Sequence, residues 1–333
     1  MSSNPRPVRL IDLPFLALSS QRIHPNQAVT LRSLASRDSQ RLPTWDLIRA
    51  STRLTRGRKI WISRDGSTLL GVAGVRRRSA SIAWEIDHLV PMTANEAFLL
   101  DLLDRVVATA GANGAHRLFL RVAQDSEILA AALRHGFTVA VQETLFEAGP
   151  TNRAIVSNPA PSAPGATIPR RRRRGDDHAL FQLHSQTVNQ EVRWLTALSP
   201  AEWRAAQEPL GPKGSEWVVP TADNTGAQSL VRLSRGTAGV SAGILSATAT
   251  TASGSAPDAS TEALNLALRQ TKKAQRFRLL VPDDALQTAR AAETAGLAEA
   301  AHYALLVRPI AQRAHRMQTA ERAVEGSARP VIQ

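Results

Sequence analysis

The chain has 333 residues, 43% of them hydrophobic, which is enough to bury two cores and excludes global disorder. A formal charge of +13 points toward a polyanion, but the excess is spread over both halves and carried almost wholly by Arg, with Lys only at 59, 213, 272 and 273. The absence of cysteine excludes disulfides, thiolate zinc sites, iron–sulfur clusters and a Cys nucleophile. In chain order, "KIWIS" and "TLLGVAGVRRR" read as strands joined by the turn Arg64, Asp65, Gly66. "SIAWEIDHLVP" alternates, with Ile82, Trp84, Ile86 and His88 on one face and Ala83, Glu85, Asp87 and Leu89 on the other. The next run, "TANEAFLLDLLDRVVATAGANG", has Thr93 and Glu96 at capping-box spacing and an apolar stripe from Phe98 to Val107, so it predicts a helix ended by Gly111 and Gly114. "HRLFLRVAQ" reads as a strand, residues 125–137 as a helix capped by Asp125 or Ser126 and stopped at Gly136, and "TVAVQETLFEA" as a last strand.

Residues 149–167 are rich in Pro, Ala, Ser and Gly and read as a linker, which divides the chain into domains 1–148 and 168–310, with a basic tail at 311–333. After the linker the same order of elements returns. "EWVVP", "AQSLVRLSR" and "TAGVSAGILSATAT" read as strands and "STEALNLALRQTKKA" as a helix. "RFRLLVP" is a strand, "DDALQTARAAETAGL" a helix stopped at Gly296, and "AEAAHYALLVRP" a strand. The distances from Gly136 to Leu145 and from Gly296 to Leu305 are equal, so we expect a duplicated α/β (α+β) unit, each half a mixed, mostly antiparallel sheet flanked by helices. On that correspondence "IPRRRRRGDDHALFQLH" begins the second domain. Its five arginines are an edge strand, an anion-binding patch or solvated linker, and Asp176 or Asp177 caps the following helix. Trp194 and Trp203 are expected to fill space under the sheet.

The run 84–137, with Val90 and Pro91, the helix after Thr93, the strand at 118–122 and "LRHGF", resembles the GNAT superfamily of acetyl-CoA-dependent N-acetyltransferases, here tandem and degenerate. The resemblance implies acyl transfer from acetyl-CoA, as a substrate, to an amine acceptor. It implies that backbone at Leu89 and Val90 grips pantetheine and that Thr93, Ala94 and Asn95 hold the diphosphate at the helix start. Glu85 takes the place of a general base, or else is a surface strand carboxylate. Several family features are replaced. The two phosphate-loop glycines correspond to Ala94 and Glu96, and Ala132 and Ala292 stand where many members have an acidic Tyr. An inactive GNAT-fold binding or dimerisation module, including a homodimer, is therefore the alternative, and a nucleic-acid or other polyanion binder ranks third. No two His lie at the i, i+4 spacing of a helical metal site, and no apolar run reaches the ~18 residues of a membrane span, so no metal and a cytoplasmic location are expected.

Overall fold

The computed structural model describes residues 5–12, 16, 24–36, 57–66, 68–93, 96–149, 168–247, 258–271 and 275–310. The expected linker, apart from Gly149, and the basic tail lie outside them. The first half supplies β1 (Arg6–Pro7), α1 (Leu31–Leu34), β2 (Arg58–Asp65), β3 (Thr68–Arg77), β4 (Ala83–Pro91), α2 (Glu96–Ala112), β5 (Arg117–Ala123), α3 (Glu127–Arg134) and β6 (Thr138–Ala148). The second supplies β7 (Arg170–Arg171), α4 (Asp177–Thr187), α5 (Gln190–Thr196), α6 (Pro200–Ala206), β8 (Ser215–Pro220), β9 (Ala227–Arg235) and β10 (Gly239–Ser246). It ends with α7 (Ala259–Arg269), β11 (Arg276–Pro282), α8 (Leu286–Thr294) and β12 (Ala298–Pro309).

The two halves do not make two sheets. All twelve described strands join in one, in the order β1-β2-β3-β4-β5-β12-β6-β11-β10-β9-β8-β7. The order is the same from either end if the halves are exchanged. Each half's last strand has crossed over: β6 pairs with β11, β12 pairs with β5, and the two meet antiparallel at the centre. Only β4–β5 and β10–β11 are parallel; every other pair is antiparallel.

Helices cover both faces. Under α2, Phe98, Leu102 and Val106 meet Trp84, Ile86, Leu118 and Leu120, and each fully buried side chain of this size stabilises by about 1.5–3 kcal/mol. A matching core joins α7 to β9, β10 and β11 through Leu264, Val231, Val240 and Phe277. Because both faces are covered, β4 is buried from Ala83 to Val90, and the polar side of its alternation faces protein rather than water. Ser126, not Asp125, caps α3 by accepting from the Ile128 N–H. Gly136 and Gly296 end the matching helices at φ +80° and +73°, a conformation that costs a residue with a Cβ. Trp203 is buried as expected, whereas Trp194 is 61% exposed because α5 turns that side outward.

The arginine run is the edge strand and the turn after it. Arg170 makes a two-pronged pair with Asp176 at 2.7 Å on both oxygens, and the Arg173 N–H donates to the same carboxylate at 2.7 Å. Asp176 therefore clamps the turn and makes no side-chain cap on α4. Arg172 bridges Asp177 and Glu216 and lies over the Trp203 ring. The first half repeats the clamp, with Arg6 on Asp12 and the Arg9 N–H on the same carboxylate. Arg173 and Arg174 are exposed. Replacing both by Ser should change stability by less than about 0.5 kcal/mol, whereas Arg172→Ser, which leaves Asp177 only Arg204 and Glu216 only Arg232 and removes the contact with Trp203, should cost about 1–2 kcal/mol in urea unfolding.

Candidate functional site

Parallel strands at the middle of each half part toward their C-terminal ends. β4 and β5 pair only from Ala83 to Glu85, opposite Arg117 to Phe119, and then separate. β10 and β11 pair from Gly239 to Gly243 before separating. The two openings are filled differently.

In the first half the chain fills its own opening. Residues 26–29 run between the parted strands: the Gln27 N–H donates to the Leu89 carbonyl at 2.8 Å and the Val29 N–H to the Arg121 carbonyl at 2.8 Å. The Leu89 N–H donates to Asn26 Oδ1 at 2.8 Å, and the Asn26 amide donates to the Asp87 carbonyl at 3.0 Å. Ser126 holds Gln27 from the start of α3. The backbone expected to grip pantetheine at Leu89 is thus bonded to residues 26 and 27. Asn26→Ala removes both of these side-chain bonds and a third from the Ala28 N–H, and should cost about 1–3 kcal/mol, read from the urea midpoint. Val90 is buried on β4. Thr93 and Pro91 line a cavity of about 300 Å³ between α2 and α3, where Glu96 pairs with Arg134. Ala94 and Asn95 lie outside the described residues.

Glu85 is 2% exposed, and both of its oxygens are committed, one to Arg76 Nε at 2.5 Å and one to Arg78 Nε at 2.8 Å. The residue is buried and each carboxylate oxygen is engaged by a guanidinium, an arrangement that suits a structural ion pair. It belongs to a buried ionic chain. Arg58 and Arg76 meet Asp87, Arg76 and Arg78 meet Glu85, and Arg121 joins Glu143 at 2.6 Å to Glu208 at 3.0 Å. Burial opposes the Glu208 charge, but Arg121, Arg78 and the Leu31 N–H outweigh it and hold the carboxyl below its ordinary range. Burial likewise opposes Asp87, and Arg58 and His88 hold it low.

Between the halves, on the face covered by α4, α5 and α6, lies an apolar cavity of about 240 Å³ beside the parting of β10 and β11. Phe119, Val192, Trp203, Leu230 and Leu305 wall it, with Gly243 and Leu245 on one strand and Leu280 and Pro282 on the other. Its charged wall residues Arg78, Arg121, Glu143, Glu208 and Arg232 are all ion-paired. Two titratable wall residues, His184 and Asp284, make no ion pair among the described residues. His184 is 9% exposed, stacks on Phe181 and lies beside Trp203, and its Nδ1 has no hydrogen-bond partner among the described residues. Burial, with Arg193 adding, pushes its imidazole down to about 4, so it is neutral at pH 7. Asp284 sits at the rim, where burial raises its carboxyl and the charge of Asp283 adds to the effect. Sequence reasoning did not single out either residue. The one signal for them was position, since Asp284 follows the strand that matches β5 and His184 sits on the helix after the arginines.

No protein-family model and no curated protein matches the chain. Solved structures do. A tandem GNAT protein from the clavulanic acid biosynthesis pathway, solved without AcCoA, is 13% identical and superposes with a TM-score of 0.55 over 94% of this chain and 100% of its own. The chain has the tandem GNAT fold. A Drosophila protein, also 13% identical, aligns with a TM-score of 0.52 over 93% of this chain and 99% of its own. In GNAT terms, the strands that part are β4 and β5 in the first half and β10 and β11 in the second. Among the described residues no helix is long and apolar enough to cross a membrane.

Proposed function

We propose that this GNAT-fold chain binds acetyl-CoA and transfers its acyl group to an amine, with the working cleft in the second half and the first half serving as scaffold. The observation that carries this is the contrast between the two partings: β4–β5 is bridged by residues 26–29, while β10–β11 opens beside an apolar cavity with two titratable groups that make no ion pair among the described residues. In such a cleft Asp284 accepts one proton from the incoming ammonium and exposes the nitrogen lone pair. The nitrogen bonds to the acyl carbon as the carbon–sulfur bond breaks. Its second proton leaves with the departing thiol. His184, neutral and unpaired, supplies a hydrogen bond to the bound acceptor, and the apolar walls keep water from competing for the acyl group. Ser246, partly exposed at the end of β10, offers a hydroxyl to an amide-bearing arm along that strand, and the buried Ser260 and Thr288 hydroxyls hold it in place.

Saturating acetyl-CoA should raise the unfolding temperature, since a ligand at 100 times its Kd adds about 2.7 kcal/mol. Amide-exchange protection should fall on residues 239–246 and 259–269. Protection confined to β4 and α2 would move the site back to Leu89, Val90 and Thr93, and no shift at all would remove acyl-CoA from the account. The second reading, an inactive binding module, is favoured by the committed state of Glu85 and Leu89. It expects acetyl-CoA to bind without acetyl transfer to any amine.

A further inference from the structure

The cavity has the chemistry of a particular ligand. Its walls are mainly aliphatic and aromatic, and the five ion-paired charges that border it are cancelled inside the protein. A carboxylate ligand would meet no uncommitted cation among the wall residues, Arg193 lying near His184 but outside the wall, and would face Asp284. A polyamine or a zwitterionic amino acid would have to strip charge from water against Phe119, Val192 and Leu230, and each uncompensated ion carries a heavy desolvation penalty. A ligand with one cationic head and an apolar body meets neither penalty: its head lies at Asp284 on the rim, and its body fills the space under Trp203. The orphaned Nδ1 of His184, on a side chain about nine-tenths buried, is the second sign of a missing polar partner, because buried polar groups in folded proteins are nearly always satisfied.

We infer that this cavity is a binding site for a small apolar primary amine, its ammonium at Asp284 and its hydrocarbon body against Phe119, Val192, Trp203 and Leu230. This rests on the reading that places the acceptor in the second half, but it makes its own claim about binding. The cavity, about 240 Å³ and open on one side, is lined by side chains from both halves, and its volume suits a compact monoamine better than a peptide.

The test uses the full chain without acetyl-CoA. Titration calorimetry with hexylamine and 2-phenylethylamine should show saturable binding at least tenfold tighter than with hexanoic acid, phenylalanine or putrescine. Hexylamine should also bind at least tenfold tighter than hexan-1-ol, and Asp284→Asn should abolish that preference. Val192→Trp, which fills the cavity from α5, should abolish binding of both amines. Should that variant fold poorly, Thr196→Phe fills the same space from the next turn. Equal or tighter binding of hexanoic acid, no saturable amine binding, or amine binding unchanged by the filling variant overturns the inference. Acetyl-CoA binding is measured separately. Amines that bind while acetyl-CoA does not would retire the transferase reading and leave this site standing; acetyl-CoA that binds while no amine does would do the reverse.

Discussion

Glu208→Ala is expected to lower the unfolding free energy by about 3–5 kcal/mol, the usual cost of removing one partner from a buried ion pair. Glu208 comes from the end of α6 in the second half. It reaches Arg121 on β5 of the first half at 3.0 Å and accepts from the Leu31 N–H at the start of α1. Without it Arg121 keeps only Glu143, Arg78 loses a neighbouring negative charge, and the Leu31 N–H is left buried with no acceptor. The loss should show as a lower urea midpoint with an unchanged slope. Replacing Arg121 by Met together with Glu143 and Glu208 by Leu should cost much less than the single change, because no charge is then left unpaired. A loss below 1 kcal/mol in Glu208→Ala would show that the ionic chain does not join the halves.

Stability should also fall as pH drops from 6.5 to 4, and His184 should account for roughly 3 kcal/mol of that fall. Its imidazole titrates at about 4 in the folded chain and near 6.5 when unfolded, so between those values the unfolded state binds the extra proton. The contribution is complete above pH 6.5 and disappears as pH falls through 4. His135 shifts in the same direction, through burial and then Arg308, so the measurement is a difference: His184→Gln should flatten the profile relative to the parent by roughly 3 kcal/mol between pH 6.5 and 4. Below that window both proteins should lose stability together. Asp87, Asp176 and Glu208 are held low in the folded state, and their contribution is present above pH ~4 and lost as they protonate. Parallel profiles for parent and variant would show that His184 is not buried neutral.

The duplicated order of strands and helices was legible because it rests on local patterns. The stripe from Phe98 to Val106, the stops at Gly136 and Gly296, and the strands ending at Ala148 and Pro309 all appear where the periodicity and glycines put them. The functional parts were less legible. Glu85 has the residue type and strand position of a base, but only its neighbours reveal two guanidiniums across its oxygens. Leu89 sits on the expected strand, yet nothing in its local sequence announces that residues 26 and 27, more than sixty positions away, bond to it. The clamp spacing from Arg6 to Asp12, repeated from Arg170 to Asp176, was available as a signal and shows the arginine run to be an edge element.

Composition and periodicity by themselves determined that this is a two-part α/β chain without thiol chemistry, because core volume, hydrophobic period and cysteine count depend on no distant contact. Tertiary structure alone decided that the halves exchange their last strands into one sheet, that the first parting is closed by the chain itself, and that His184 and Asp284 share a cavity. The physical reason is that strand partners, buried charge pairs and cavity walls are set by groups far apart in sequence, whose meeting no local pattern encodes.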